Sequence, residues 1–286
     1  MKKVLVLLAL LAAVCGLLSF SAAAESAAAS GICGENLTWT LDAAGTLTVS
    51  GTGAMEDYNY KDAPWHQSRD SIKAVVVESG VTTIGGSAFN DCSSLTSINF
   101  PDSVTVIGEY AFESCSSLTS ITIPESVTTI GSYAFCDCTS LSSITIPEGV
   151  TAIGSYAFCD CTSLSSIEIP EGVTVIRPNV FCGASGIQRV ALSKNLKGVL
   201  GNAFDGCTNI KEVFYEGSES EWAKLPIATG NDPLKNATIY YNSTIDDFYC
   251  RITVEVSEGG RVAVSANTAK AGTPSPSRPR LTGAMR

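Results

Sequence analysis

The chain has 286 residues, with 18 lysines and arginines against 28 aspartates and glutamates, a net charge of −10 and a single histidine. Acidity without any cluster of basic residues removes the electrostatic source of phosphate-backbone binding, so nucleic acid is not expected as a partner. One histidine also leaves little material for base-assisted nucleophilic catalysis.

The first element is a leader. Lys2 and Lys3 precede an apolar run from Val4 to Leu18, and small residues follow as far as Ala22-Ala23-Ala24. Charged, apolar and A-x-A regions in that order are those of a secretory signal peptide, and the run is short for a membrane span of about 20 residues. We expect residues 1–24 to be removed and the protein to be secreted or displayed on the cell surface. Without Lys2 and Lys3, 16 basic residues face 28 acidic ones, a net charge of −12.

Residues 25–74 read as an N-terminal β cap. Apolar residues alternate at Leu37, Trp39 and Leu41, stop at Ala43-Ala44-Gly45 and resume at Leu47 and Val49, the pattern of a hairpin. His66, in DAPWHQSRD, has no accompanying motif such as G-x-S-x-G and reads as a loop residue beside Trp65. GTGAME at 51–56 lacks the third glycine and the Lys-Ser/Thr of a phosphate loop, so it reads as a turn. No catalytic residue and no cofactor is assigned.

From 75 to 212 the chain repeats itself at a period of 23, in units starting at Val75, Ile98, Ile121, Ile144, Ile167 and Val190. The third and fourth units differ only at Ser126 against Gly149 and Thr129 against Ala152. Each opens with a short alternating strand such as Ile121 and Ile123, closed by Pro124 and turned at Gly131. One unit cannot fold alone: about six apolar side chains at about 2 kcal/mol each fall short of about 1.5 kcal/mol per ordered residue. Stacked at about 4.8 Å, the spacing of paired strands, the units bury both faces of each layer and form an elongated solenoid. We expect six to seven layers.

The pattern IPxxVTxIGxxAFxxCxxL resembles the BspA-like leucine-rich repeats of bacterial surface proteins, over about residues 75 to 212. That resemblance implies a β-rich right-handed leucine-rich-repeat solenoid on a secreted or surface adhesin or interaction module, and it supplies no catalytic residues.

The repeat sets equivalent residues in columns. Cys92, Cys115, Cys138, Cys161 and Cys207 occupy one position and read as buried small hydrophobes. Cys136, Cys159 and Cys182 form a second column, expected nearer to solvent. No metal site is assigned, because C-x-C in an extended turn points neighbouring sulfurs apart. Asp102, Glu125, Glu148 and Glu171 line one edge as a solvated acidic strip, a candidate contact for a cation or basic partner. Ser120, Thr122, Ser143, Thr145, Ser166 and Glu168 form a flat, small, polar face and are the ligand-facing candidates. Trp39, Trp65 and Trp222 all lie in the flanks and read as buried cap residues, with a glycan platform as the alternative.

After the array, residues 213–242 read as a C-terminal cap with a short helix around Glu219 to Leu225. At 243–273 two alternating runs around Ser-Glu-Gly-Gly open a truncated C-terminal β module. The tail, 274–286, turns Pro/Arg/Ser-rich and is either disordered or frameshifted. Its codons in the next frame permit V-T-V-T-A-T-P-D-G-G-Y-E, so we expect a frameshift and a longer parent protein with an anchor that this chain lacks. The reading that results is a non-enzymatic binding protein contacting a protein or extended surface polymer, with no small-molecule substrate. A glycan-binding module, or the targeting arm of a larger surface enzyme, is the alternative.

Overall fold

The computed structural model describes residues 29–243 and the strands Thr253–Val256 and Val262–Ser265, which pair antiparallel. The expected leader and tail lie outside the described residues, as does most of the 243–273 module. Among the described residues no helix is long and apolar enough to cross a membrane.

Every unit makes one turn of a β-solenoid of about seven turns. Its first side is the alternating strand, and parallel pairing one period apart joins Val75 to Ile98, Ile121 to Ile144, Ile167 to Val190 and Val190 to Val213. A second, shorter strand follows the proline. Ile84, Ile107, Ile130 and Ile153 stack along it in register.

The third side carries no strand. Within GSYAFCDC the backbone turns left-handed twice, at Tyr133 (φ 57°) and Asp137 (φ 58°), and the same pair of positions does so in neighbouring turns. This rotation aligns alternate peptide groups along the solenoid axis. Phe89 N–H donates to Ala111 O, Phe112 N–H to Ala134 O, Phe135 N–H to Ala157 O and Phe158 N–H to Val180 O, each at 2.8 Å. The flanking positions do likewise, Tyr110 to Ser132 and Ser114 to Cys136. Turns therefore approach closely at the corner glycine: a Cβ on Gly131 would lie 2.6 Å from Gly108 C and Glu109 N.

These bonds bring the phenylalanines into a buried ladder. Phe89, Phe112, Phe135, Phe158, Phe181 and Phe204 stack at 5.1 to 5.6 Å between ring centroids. The core cysteines fill the gap beside them, and from Cys115 onward the thiols donate to the phenylalanine carbonyl of the preceding turn. Cys115 Sγ reaches Phe89 O, Cys138 reaches Phe112 O, Cys161 reaches Phe135 O and Cys207 reaches Phe181 O, at 3.0 to 3.2 Å. A small apolar side chain with one weak donor is what the position requires.

Both ends of the array are closed by side chains standing in for a missing turn. At the front, Thr46–Gly51 pairs in parallel with Ala74–Val77, Leu47 opposite Val75, so the cap contributes one irregular turn of its own. There Trp65 Nε1 donates to Ala88 O at 2.6 Å, where interior turns use a phenylalanine amide, and its ring stacks on Phe89 at 5.4 Å. At the back, Asn231, 0% exposed, accepts from Phe204 N–H through Oδ1 at 2.9 Å and donates to Leu200 O and Ala228 O. The expected helix is one short turn, Glu219–Trp222, closed by a Ser218/Glu221 capping box. A second, unexpected helix, Asp232–Asn236, leads into Thr238–Tyr241, which pairs with Glu212–Tyr215.

The thiol columns differ from expectation in one respect. Cys136 and Cys182 are half-buried, but Cys159 between them is only 7% exposed. Its neighbours above and below cover it, and its Sγ donates to Asp160 Oδ2 at 3.4 Å. A hydrogen bond with Cys136 and burial raise its pKa. In the core column, burial pushes Cys92, Cys138 and Cys207 up to about 12.

Three outcomes follow from this packing. Asn231→Ala leaves the buried Phe204 amide and the half-buried Ala228 carbonyl unpaired and should lower unfolding stability by about 2–4 kcal/mol, against about 0.5 kcal/mol for exposed Asn209→Ala; equal shifts in the urea midpoint would refute the capping role. Iodoacetamide should label Cys136 and Cys182 first, Cys159 later, and Cys115, Cys138 and Cys161 only on unfolding, as read by peptide mass mapping. Unfolded thiols ionise near about 8.5 while the folded core column holds its protons to about 12, so stability should fall as pH rises through that window.

Candidate binding surfaces of the solenoid

The alternating strands turn one face inward and one out. Outward, Ser120 stands in register with Ser143, and Thr122 with Thr145, and all four are exposed. Ser166 and Glu168 continue the same two rows but are half-buried, less open than expected. The rows fill with larger groups beyond them: Arg189 stands beside Ser166, and the other row continues through Ala191 and Phe214 to Tyr240. Phe214 and Tyr240 stack at 5.1 Å, so the polar face gives way to an aromatic one within two turns.

Asp102, Glu125, Glu148 and Glu171 are all exposed along one edge. Asn195 Nδ2 reaches Glu171 Oε2 at 3.4 Å. Glu148 and Glu171, with Glu168, Glu216 and Phe214, border a depression of about 120 Å³. That holds a few waters at about 30 Å³ each, well below the 300–1,000 Å³ of small-molecule sites. None of the four lies in the apolar pocket that a glycosidase acid requires.

Trp39 and Trp65 are buried, edge to face at 5.5 Å, inside the N-terminal cap, and Trp222 packs edge-on against Tyr215 at 5.3 Å. Trp39 and Trp65 are thus core residues of the N-terminal cap, as their place in the flank suggested, and Trp222 is half-buried against the C-terminal one, so the three rings form no common platform for a sugar. His66, expected in a loop, begins the 3-10 turn His66–Ser71 and is buried. Its ring meets Tyr60 edge-on at 6.5 Å. Among the described residues no group of three or more His, Cys, Asp or Glu side chains is placed to hold a metal.

The aromatic feature that the sequence reading passed over lies on the third side. Tyr110, Tyr133 and Tyr156 stack at 4.7 and 4.5 Å, each at a left-handed φ of 57 to 61°. A bulky side chain there costs about 1–2 kcal/mol of backbone energy, and the next two turns set Asn179 and Asn202 at the same position instead. The signal was present in the sequence as a tyrosine repeated three times at a period of 23, at a position the repeat pattern left unspecified.

The profile of the BspA type leucine rich repeat region matches in six copies, over residues 65–181 and 105–224. No curated protein matches. Among solved structures, the leucine rich repeat protein of T. pallidum is 28% identical over 61% of this chain and 87% of that one, with a TM-score of 0.49. A leucine-rich repeat protein from Bacteroides ovatus is 24% identical over 73% and 70%, TM-score 0.41. A leucine rich cell surface protein from Faecalibacterium prausnitzii is 18% identical over 68% and 96%, TM-score 0.33. The matched residues 65–224 span more than half of the chain and carry the repeat through both ends of the phenylalanine ladder, so this chain belongs to the BspA-type leucine-rich repeat family.

Proposed function

We propose that the protein is a non-enzymatic binding scaffold, secreted or held at the cell surface, that contacts a protein or another extended polymer through its Ser/Thr face. The observation that carries this reading is the pair of exposed rows, Ser120 with Ser143 and Thr122 with Thr145, paired in register on an open strand face. Hydroxyls repeated at about 4.8 Å offer the same donor and acceptor again and again. Such a row rewards a partner that is itself repetitive or extended, because weak equivalent contacts add along its length. Membership of a repeat family supports the reading, since stacked repeats create long contact surfaces. The expected leader at 1–24 supports the location.

The test uses beads coated with the mature chain on immobilised extracellular-matrix proteins and bacterial cell-surface preparations. The double variant Thr122→Arg/Thr145→Arg places two bulky cations on the face without touching the core. It should reduce bead retention at least about tenfold, the effect of about 1.4 kcal/mol, with circular dichroism and melting temperature unchanged. Undiminished retention would remove the face from the contact.

A further inference from the structure

At the front of the array the third side opens into a groove of about 650 Å³, lined by Asp57, Tyr60, Ser87, Asn90, Glu109, Tyr110 and Glu113 among others. Two departures from the repeat create it. From Leu47 to its partner Val75 is 28 positions, five more than the period, and the surplus loop carries Tyr60 outward, 57% exposed. Ser87, one period before Tyr110, is too small to continue the tyrosine stack, so Tyr110 ends it beside the groove and is 36% exposed.

The lining is rich in acceptors. Asp57 Oδ1 receives only Gly86 N–H at 2.7 Å among the side-chain bonds formed there, and Glu109 is exposed. Asn90 is 4% exposed, and its Nδ2 donates to Glu113 Oε2 at 2.6 Å. That bond fixes the orientation of the amide and leaves Asn90 Oδ1 buried with no donor. Glu113 is half-buried, and burial raises its carboxyl pKa while the Asn90 amide opposes that shift.

We propose that this groove receives a guanidinium, taking an arginine side chain from a basic segment of a protein partner. Guanidinium is planar, carries five N–H donors and no acceptor, and stacks on aromatic faces. Those properties match the two tyrosines, Tyr60 and Tyr110, and the three carboxylates, Asp57, Glu109 and Glu113, of the lining. Tyr60 already hosts a cation, since Lys61 Nζ sits 4.7 Å from its ring centroid. A sugar fits less well, because its hydroxyls also need donors and the charged groups of the lining only accept. The site is separate from the Ser/Thr face and adds a second contact to it.

Fluorescence anisotropy of labelled hexaarginine and hexalysine with the mature chain tests the assignment. Hexaarginine should bind at least about threefold more tightly than hexalysine, and Tyr60→Ala should weaken it about fivefold, within the range of one cation–π contact. Glu109→Gln should weaken it about threefold, while Glu148→Gln on the distant acidic strip should leave it unchanged. Both groove residues are exposed, and melting temperatures confirm that the variants fold. Equal binding of the two peptides, or equal loss in Glu109→Gln and Glu148→Gln, would mean diffuse electrostatics and overturn the site. So would Tyr60-dependent binding of neutral cellohexaose without hexaarginine binding. Thr122→Arg/Thr145→Arg should retain hexaarginine, so this site and the Ser/Thr face can fail independently.

Discussion

The fold depends on one bond made over and over, from a phenylalanine amide in one turn to the carbonyl of the next turn's Ala, or Val180, at 2.8 Å. It sets the distance between turns on the side where no strand exists. The spacing of the rings, at 5.1 to 5.6 Å, follows from it, as does the need for glycine at Gly131, where the turns nearly touch. The thiol column completes the same arrangement from inside. A phenylalanine carbonyl that turns toward the core is met by the cysteine of its own turn through N–H and by that of the next turn through Sγ, as Phe112 O is by Cys115 N and Cys138 Sγ. Parallel thiols pointing at carbonyls are poorly placed to reach each other, which is why a chain so rich in cysteine holds free thiols in its core.

A bond that always needs a neighbour fails at the two places where there is none. Trp65 and Asn231 answer this with chemically opposite groups, a ring N–H at the front and an amide oxygen at the back, because the front lacks a donor and the back lacks an acceptor. Neither belongs to the repeat, and each is held by an irregular segment that the regular turns could not supply. The surplus segment at the front that leads to Trp65 also carries Tyr60 to the rim of the groove, where its hydroxyl donates to Asp91 Oδ2 at 2.8 Å, so the cap and the groove have a common origin.

Much of this was legible in the sequence wherever side chains repeat in phase. Ile121, Phe135 and Cys138 recur at 23 residues, and their burial, the stacking and the solenoid follow from that period alone. Ser120 and Thr122 were legible as outward positions because a strand alternates. The openness of Ser166 and Glu168 was not, because it is set by Arg189, Ala191 and Phe214 in turns that had already left the pattern. Cys159 was misplaced for a similar reason: burial in a column comes from the neighbours above and below, and only the middle member has both. Tyr110, Tyr133 and Tyr156 were passed over because their backbone is left-handed, and propensity gives no reason to look for a bulky ring there. Asn231 could not be read at all, since its role is defined by a turn that does not exist.

The one-way bonding of the third side has an electrostatic consequence. Peptide groups 109–110, 111–112 and 113–114 each receive from the turn before and donate to the turn after, and the same sense continues from Tyr58 N–H on Gly86 O to Asn202 N–H on Thr229 O. Their dipoles, about 3.5 D each, add along the axis instead of cancelling as they do in an ordinary sheet. This side of the solenoid is thus polarised in the reverse sense to a helix, with its carbonyl, electronegative end towards the N-terminus and its N–H end beside Asn231, while the corner amides of Gly108, Gly131 and Gly154 donate the other way, to Ile84 O, Ile107 O and Ile130 O of the preceding turn. Asp57, Glu109 and Glu113 gather at the negative pole, where their own charges and the backbone field act together on any cation that approaches.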